Sequence, residues 1–320
     1  MSIAILAIIL GFFLLTWSAD KFVSGAASCA RNWGISPMLI GLTIVSIGTS
    51  APEILVSIVS AAQHHPEIAV GNALGSNIAN IALVLGITAL IAPIPVKGTL
   101  PSREIPLLLI VTLICGACLF NGYLGIMDSL TLLGILIITL LLMFQWQKHP
   151  SQPTNDAPDD NVNLSLTSLT AFFYLTGGLV LLLISSQILV WGATRIAELM
   201  GVSELVIGLT IVAIGTSLPE MAASLVSALR KQHDIAIGNI VGSNIFNLLA
   251  VLPMPGLIAP GYLDRWIFLR DYPVMLALTV YLALTVWFTR SSTTIGRLTG
   301  GLLIACYVTY SVLLYCQSIQ

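Results

Sequence analysis

Long apolar runs, interrupted by Gly, Pro and a few charges, dominate the chain. Ten stand out, at 2–28, 37–63, 68–92, 104–120, 125–146, 169–194, 204–229, 235–258, 271–289 and 297–316. Most reach the roughly 20 residues that a helix needs to cross a bilayer core of about 30 Å. None alternates with period two over about 10 residues, as a β-barrel strand would. The pattern predicts an all-α polytopic membrane protein with ten transmembrane helices. One stretch differs: Lys148 to Asn163 holds three Pro and three Asp without apolar periodicity, which reads as a linker. Residues 148–167 thus divide a first half, 1–147, from a second, 168–320, with five runs in each. The first run lacks a basic segment before it and outlasts a signal core, so it reads as a retained helix.

Composition sharpens this. Of 320 residues, 57% are hydrophobic and 8% charged, against about 25% charged in soluble domains. Soluble enzymes and disordered chains are excluded. A net charge of −2 leaves no basic footprint for nucleic acid. Connections after odd runs hold Arg31, Lys97, Arg103, Lys148, Arg230, Lys231, Arg290 and Arg297; those after even runs hold only Arg195, Arg265 and Arg270. The positive-inside rule puts the former in the cytoplasm and both termini outside, with a prokaryotic inner membrane as the expected location. The five cysteines are scattered through apolar runs. Cys115 and Cys118 have redox spacing, but mid-run they read as small packing residues.

An internal repeat decides most of the rest. Residues 41–80 begin GLTIVSIGTSAPE and end GNALGSNIAN; residues 208–247 begin GLTIVAIGTSLPE and end GNIVGSNIFN. The offset is 167 without a gap, and 24 of the 40 aligned positions are identical. Five runs per half is an odd number, so two homologous halves cross the membrane in opposite directions. Inverted repeats of this kind, with a site at the midplane, mark secondary transporters.

The chemistry concentrates at Gly48-Thr49-Ser50-Ala51-Pro52-Glu53 and Gly215-Thr216-Ser217-Leu218-Pro219-Glu220. Each lies mid-run, where Pro lacks an N–H and breaks the helix. Pro also suits the start of the next half-helix, and Glu falls in its first turn, favoured by the dipole. A second break is expected at Gly75-Ser76-Asn77 and at Gly242-Ser243-Asn244. A midplane Glu costs about 2.5–3.5 kcal/mol even on lenient scales. No base lies inside these repeat runs to compensate two of them, so the counter-charge must come from solvent. Thr49, Ser50, Thr216, Ser217, Ser76, Ser243, Asn80 and Asn247, with freed carbonyls around Ser46 to Thr49, surround the pair with oxygen donors. That set suits hard cations such as Ca2+ or Na+ rather than Zn2+ or Cu+.

These paired motifs resemble the α-repeats of the cation/calcium exchanger superfamily, most closely its prokaryotic sodium/calcium exchanger branch. The resemblance covers nearly the whole chain and implies ten helices in two inverted five-helix repeats. It implies that Glu53 and Glu220 are the central ligands, with Thr49, Ser50, Thr216 and Ser217 beside them. Carbonyl ligands are implied at Ser46 and Ala213, and Ser76 and Ser243 would complete flanking sodium positions. The Asn ending each motif is Asn80 or Asn247. Some relatives carry Asp at the latter position, so this cluster has one negative charge fewer, which argues against potassium co-transport.

The expected function is a secondary active antiporter exchanging Ca2+ for Na+ by alternating access, with spans 1 and 6 sliding against the rest. The partners are these two transported ions and the bilayer; no cofactor is expected, and one chain should suffice. A proton-coupled Ca2+ antiporter on the same fold is the alternative. An enzyme is not expected, because no His lies within a run to activate Ser. Asp20, beside Lys21, reads as structural since its repeat mate is Gln187. Arg265, Arg270 and Asp271 read as a solvated outer loop.

Overall fold

The computed structural model describes residues 1–96, 99–148, 166–202, 211, 213–288 and 294–318. Most of the expected linker and the start of the seventh run, including Leu209 and Thr210, lie outside these residues. The chain is a helical bundle. Its helices are α1 (Ser2–Trp33), α2 (Pro37–Thr49), α3 (Ala51–Ala62), α4 (Pro66–Ile91), α5 (Glu104–Leu119) and α6 (Ile126–Lys148). The second half contributes α7 (Ser168–Leu199), α8 (Ala213–Thr216), α9 (Leu218–Leu229), α10 (His233–Ile258), α11 (Ile267–Phe288) and α12 (Arg297–Ser318). Among the described residues, seven helices are long and apolar enough to span a bilayer. The pair α2 and α3, bent by 42°, makes an eighth. The shorter apolar helices α5 and α9 fall on the fourth and seventh expected runs.

Burial sorts the helices into layers. In their most apolar stretches, 94% of α10 and 72% of α4 are buried, against 17–39% for the other five long helices. The two helices carrying the GN…GSN motifs are therefore the centre of the bundle. Outer helices present large apolar side chains outward, such as Phe13, Ile137, Phe173 and Leu302. That surface needs a lipid solvent. Beneath it, Leu74, Ile78, Ile81, Leu85, Ile240, Ile245, Leu248 and Leu249 form a continuous core between α4 and α10.

Helices α1 and α7 each run 32 residues, about 48 Å at 1.5 Å per residue. They exceed the bilayer core and must tilt. They pack along their length through small residues. Gly25 lies against the backbone of Leu175, and Gly192 against that of Ala4; a Cβ at either would overlap it. Such close contact without side-chain interlock is how helices associate in lipid.

The contacts between halves come in exchanged pairs. Gly11 meets Leu189 while Gly178 meets Phe22, and each partner is the other's mate at offset 167. The two-residue strands also pair across the halves, with β3 the mate of β1 at offset 167 and β4 following β2 at offset 171. β1 (Ile94–Pro95) pairs with β4 (Thr294–Ile295), and β2 (Tyr123–Leu124) pairs with β3 (Gly261–Tyr262).

Three expectations need correction or completion. The helices run unbroken through Gly75–Asn77 and Gly242–Asn244. Glycine keeps its N–H, so the ladder survives at a cost of about 1 kcal/mol. Gly242 instead lets α10 approach Leu42 and Ser46. The irregularity comes just after, as π-helical turns at Ala79–Val84 and Asn247–Val251. Secondly, Asp271 is buried, not part of a solvated loop. Its two oxygens accept from Arg270 at 2.6 and 2.9 Å, and Oδ1 also accepts from the Tyr310 hydroxyl at 2.8 Å. Arg265 is exposed, as expected. Thirdly, Asp20 pairs with Arg230, at the end of α9. Cys115 is buried and free, with its thiol toward Leu248 O, as a packing residue would be.

Candidate functional site

The two Pro-Glu motifs build matching breaks. Ser50 sits at φ −83°, ψ 8°, and Ser217 at φ −87°, ψ 4°, where one helix stops and the next begins. Pro52 and Pro219 lie at the start of α3 and α9, and Glu53 and Glu220 in their first turns. A proline cannot donate to the carbonyl four residues back, so each helix must restart. Both carboxylates are 1% exposed. The breaks also touch across the halves: the Ser50 hydroxyl donates to Glu220 Oε1 at 3.0 Å.

Eight buried polar atoms without a hydrogen-bond partner fall on residues expected from the sequence, while others, such as Glu104 Oε2 and Ser129 Oγ, lie elsewhere. Oε2 of Glu53 and of Glu220, Oγ of Ser217 and Ser243, and both amide atoms of Asn80 and Asn247 are buried without a hydrogen-bond partner. Buried polar groups are normally paired, and each orphan costs about 1–3 kcal/mol. Six of these eight atoms are oxygens, the donor set of a hard cation. Among the described residues no three His, Cys, Asp or Glu gather into a cluster. Two carboxylates amid neutral hydroxyl and amide oxygens remain.

The other expected residues lie as follows. Thr49 and Ser76 are buried, and Thr216 is half-buried. Ser46 is buried with its hydroxyl turned to Leu42 O at 2.7 Å. Its carbonyl, expected to be free, accepts from Ser50 N–H at 2.9 Å and from the Thr49 hydroxyl at 3.4 Å. Ala213 opens α8, and its side chain lies outside the described residues. Asn80 and Asn247 sit in the π-helical turns, a feature frequent at functional sites.

Sequence reasoning passed over a second pair, Asn72 and Asn239. The Asn239 amide donates to Glu220 O at 3.2 Å and to Ser224 Oγ at 2.9 Å, and accepts from the Thr49 hydroxyl at 3.1 Å. Asn72 donates to Glu53 O at 3.3 Å. Each therefore holds the backbone of the residue bearing the carboxylate. The signal was present, since both are Asn at offset 167 inside the motif.

The family model described as sodium/calcium exchanger protein matches residues 3–145 and 170–316. The chain is 47% identical to CaxA of Alkalimonas amylolytica over 98% of its own length and 99% of that protein. It is 39% identical to the inner membrane protein YrbG of Escherichia coli, over 98% of each. A solved structure of the sodium-calcium exchanger NCX_Mj, soaked with Na+ and Ca2+, superposes with a TM-score of 0.81 at 33% identity, covering 96% of each chain. The protein is a membrane antiporter, and it belongs to the sodium/calcium exchanger family, a family of transporters rather than enzymes.

Proposed function

We propose that this antiporter exchanges Ca2+ for Na+ at the Glu53–Glu220 pair, by alternating access. The observation that carries the reading is the set of orphaned oxygens around two buried carboxylates that, among the described residues, form no ion pair with Lys or Arg. Thr49, Ser50, Thr216, Ser217, Ser76, Ser243, Asn80 and Asn247, with the carbonyls of Ser46 and Ala213, would supply the remaining ligands. NCX_Mj, soaked with these ions in its solved structures, supports the choice of cargo. Exchanged contacts between equivalent glycines and strands support ten spans in two inverted halves, 1–147 and 168–320. Both termini would lie outside the cytoplasmic side of an inner membrane. One chain contains the whole site.

The mechanism follows from charge. An empty site holds two uncompensated carboxylates in low dielectric, which opposes closure and crossing. One Ca2+, or Na+ ions on overlapping oxygens, removes that cost and lets the bundle close around the load. The ions thus compete for one set of atoms, which couples their opposite movements. Helices α1 and α7, joined by glycine contacts, would slide against the central layer.

Radiolabelled Ca2+ uptake into proteoliposomes tests the reading. An outward Na+ gradient should drive uptake, and a pH gradient at zero Na+ should not. Uptake driven by the pH gradient alone would give the proton-coupled alternative, with the carboxylates carrying protons.

A further inference from the structure

One end of the bundle carries a basic cavity that the repeat does not duplicate. It encloses about 310 Å3 between α1, α7 and the turn after α9. Among the described residues that line it, Lys21, Arg31 and Arg230 are bases and Asp20 is the acid, an excess of two positive charges. The lining runs from buried Val23 and Ser28 to exposed Arg31 and Arg230, so the cavity reaches from the interior to the surface. Asp20 is committed to Arg230, which also donates to Ser24 Oγ at 2.7 Å. Lys21 is not balanced in this way. Its ammonium lies 5.8 Å from the Trp17 ring and 5.0 Å from that of Tyr174, and among the described residues no Asp or Glu forms an ion pair with it.

Depth and symmetry give the cavity its meaning. Ser2–Ala19 is 18 residues without a charge, about 27 Å at 1.5 Å per residue, which nearly fills a bilayer core. Asp20 and the residues beyond it then lie at headgroup level, where Trp and Tyr suit the interface. Residues that the packing of α1 on α7 requires recur at offset 167, as Gly25 and Gly192 do. The bases do not: the mates of Lys21, Arg31 and Arg230 are Ile188, Glu198 and Gln63. Helix packing therefore does not demand them. A topology signal needs basic loops, but not a lysine inside α1 that converges with an arginine of the other half.

We infer that this cavity binds a phosphate group, supplied by the headgroup of an anionic phospholipid. Arg31 and Arg230 can grip phosphate oxygens in pairs, and Lys21 adds a point charge. The headgroup would compete with Asp20 for Arg230. Lipid is the source because the same face of α1 continues from Lys21 into the membrane through Trp17 and Phe13, at i−4 and i−8, and both are exposed. They offer the acyl chains a track that a free phosphate would not use. The inference rests on the topology proposed above, which puts the cavity in the cytoplasmic leaflet, where basic cavities between helices take such headgroups.

Native mass spectrometry of the full-length protein in detergent tests this, with phosphatidylglycerol and phosphatidylcholine of equal chain length supplied in equal amounts. Phosphatidylglycerol should be retained in excess. Lys21→Gln should cut its retention about fivefold, the worth of one base at a charged lipid surface, and Arg31→Gln should do likewise. Asp20→Asn should raise retention, which a merely loosened fold would not do. Arg195→Gln, at the opposite end of α7, should leave it unchanged. Inorganic phosphate sorts the source. If it raises the melting temperature of the unaltered protein but not of Lys21→Gln, while neither lipid is preferred, the phosphate site holds and the lipid source falls. No lipid preference and no phosphate effect, or a preference indifferent to Lys21, Arg31 and Asp20, would overturn the inference. Retention is read without a gradient, so it and Na+-driven exchange can fail separately.

Discussion

Two pairs of repeat-related acids are buried in this bundle, and they are treated differently. Glu104 and Asp271 are mates at offset 167, 4% and 5% exposed, near the starts of α5 and α11. Each meets the chain's own groups. Asp271 is held by Arg270 and Tyr310; Glu104 accepts from the Thr99 hydroxyl at 2.7 Å, with Arg103 as its neighbouring charge, although its Oε2 has no hydrogen-bond partner. Glu53 and Glu220 are equally buried, and among the described residues no Lys or Arg forms an ion pair with either. A carboxylate whose counter-charge is built into the chain has a fixed partner and a structural role. One whose counter-charge is omitted needs something mobile.

The sharpest way to break the comparison is to neutralise each pair in turn. Glu53→Gln or Glu220→Gln removes a negative charge that no neighbour replaces, so Na+-driven Ca2+ uptake should fall at least a hundredfold. Folding should survive, because an unpaired buried charge is lost, not a bond partner. Full uptake in either variant would refute the site. Asp271→Asn should do the reverse. It strips charge from an ion pair that also anchors Tyr310, costing about 2 kcal/mol of stability. Melting in detergent should therefore drop, while Ca2+ transport per folded molecule stays within about twofold.

A third measurement concerns how the site moves. Gly25→Leu puts a side chain into the backbone of Leu175 on α7. Overpacking of this kind costs about 1–3 kcal/mol. If α1 and α7 slide as a pair, the maximal exchange rate should fall about tenfold with little change in the KM for Ca2+. A raised KM at an unchanged rate would show that this interface shapes the site, not the transition.

What could be read in advance follows from which features leave a mark on sequence. Proline and glutamate at a fixed offset of 167 announced the breaks, because a lost N–H acts locally. The candidate ligand residues on α4 and α10 were legible from the same offset. The π-helical turns at Ala79–Val84 and Asn247–Val251 were not, since they arise from packing between helices and use ordinary residues. The burial of Asp271 was hidden because Tyr310, which helps hold it, comes from a helix 39 residues away. Glu104 as its mate was visible and overlooked, as were Asn72 and Asn239. Nothing in one-dimensional symmetry could reveal that identical residues make different bonds, since that asymmetry belongs to the conformation.

The smallest effect is expected at Asp20. It pairs with Arg230, and Arg230 also donates to Ser24 Oγ at 2.7 Å, so the contact joins α1 to the end of α9. The pair faces a cavity of about 310 Å3 that Lys21, Arg31, Tyr174 and Gln232 also line. With side chains 34% and 41% exposed, water screens it, and such pairs contribute about 0–1 kcal/mol. Asp20→Asn should thus alter exchange less than threefold. Because α1 must move past α9 for the site to change sides, the change should be an increase in rate, larger at low ionic strength and absent in high salt. A loss of rate independent of salt would mean that Asp20 belongs with Glu53 and Glu220 among the charges left for ions to balance, and the division between the two kinds of buried acid would have to be redrawn.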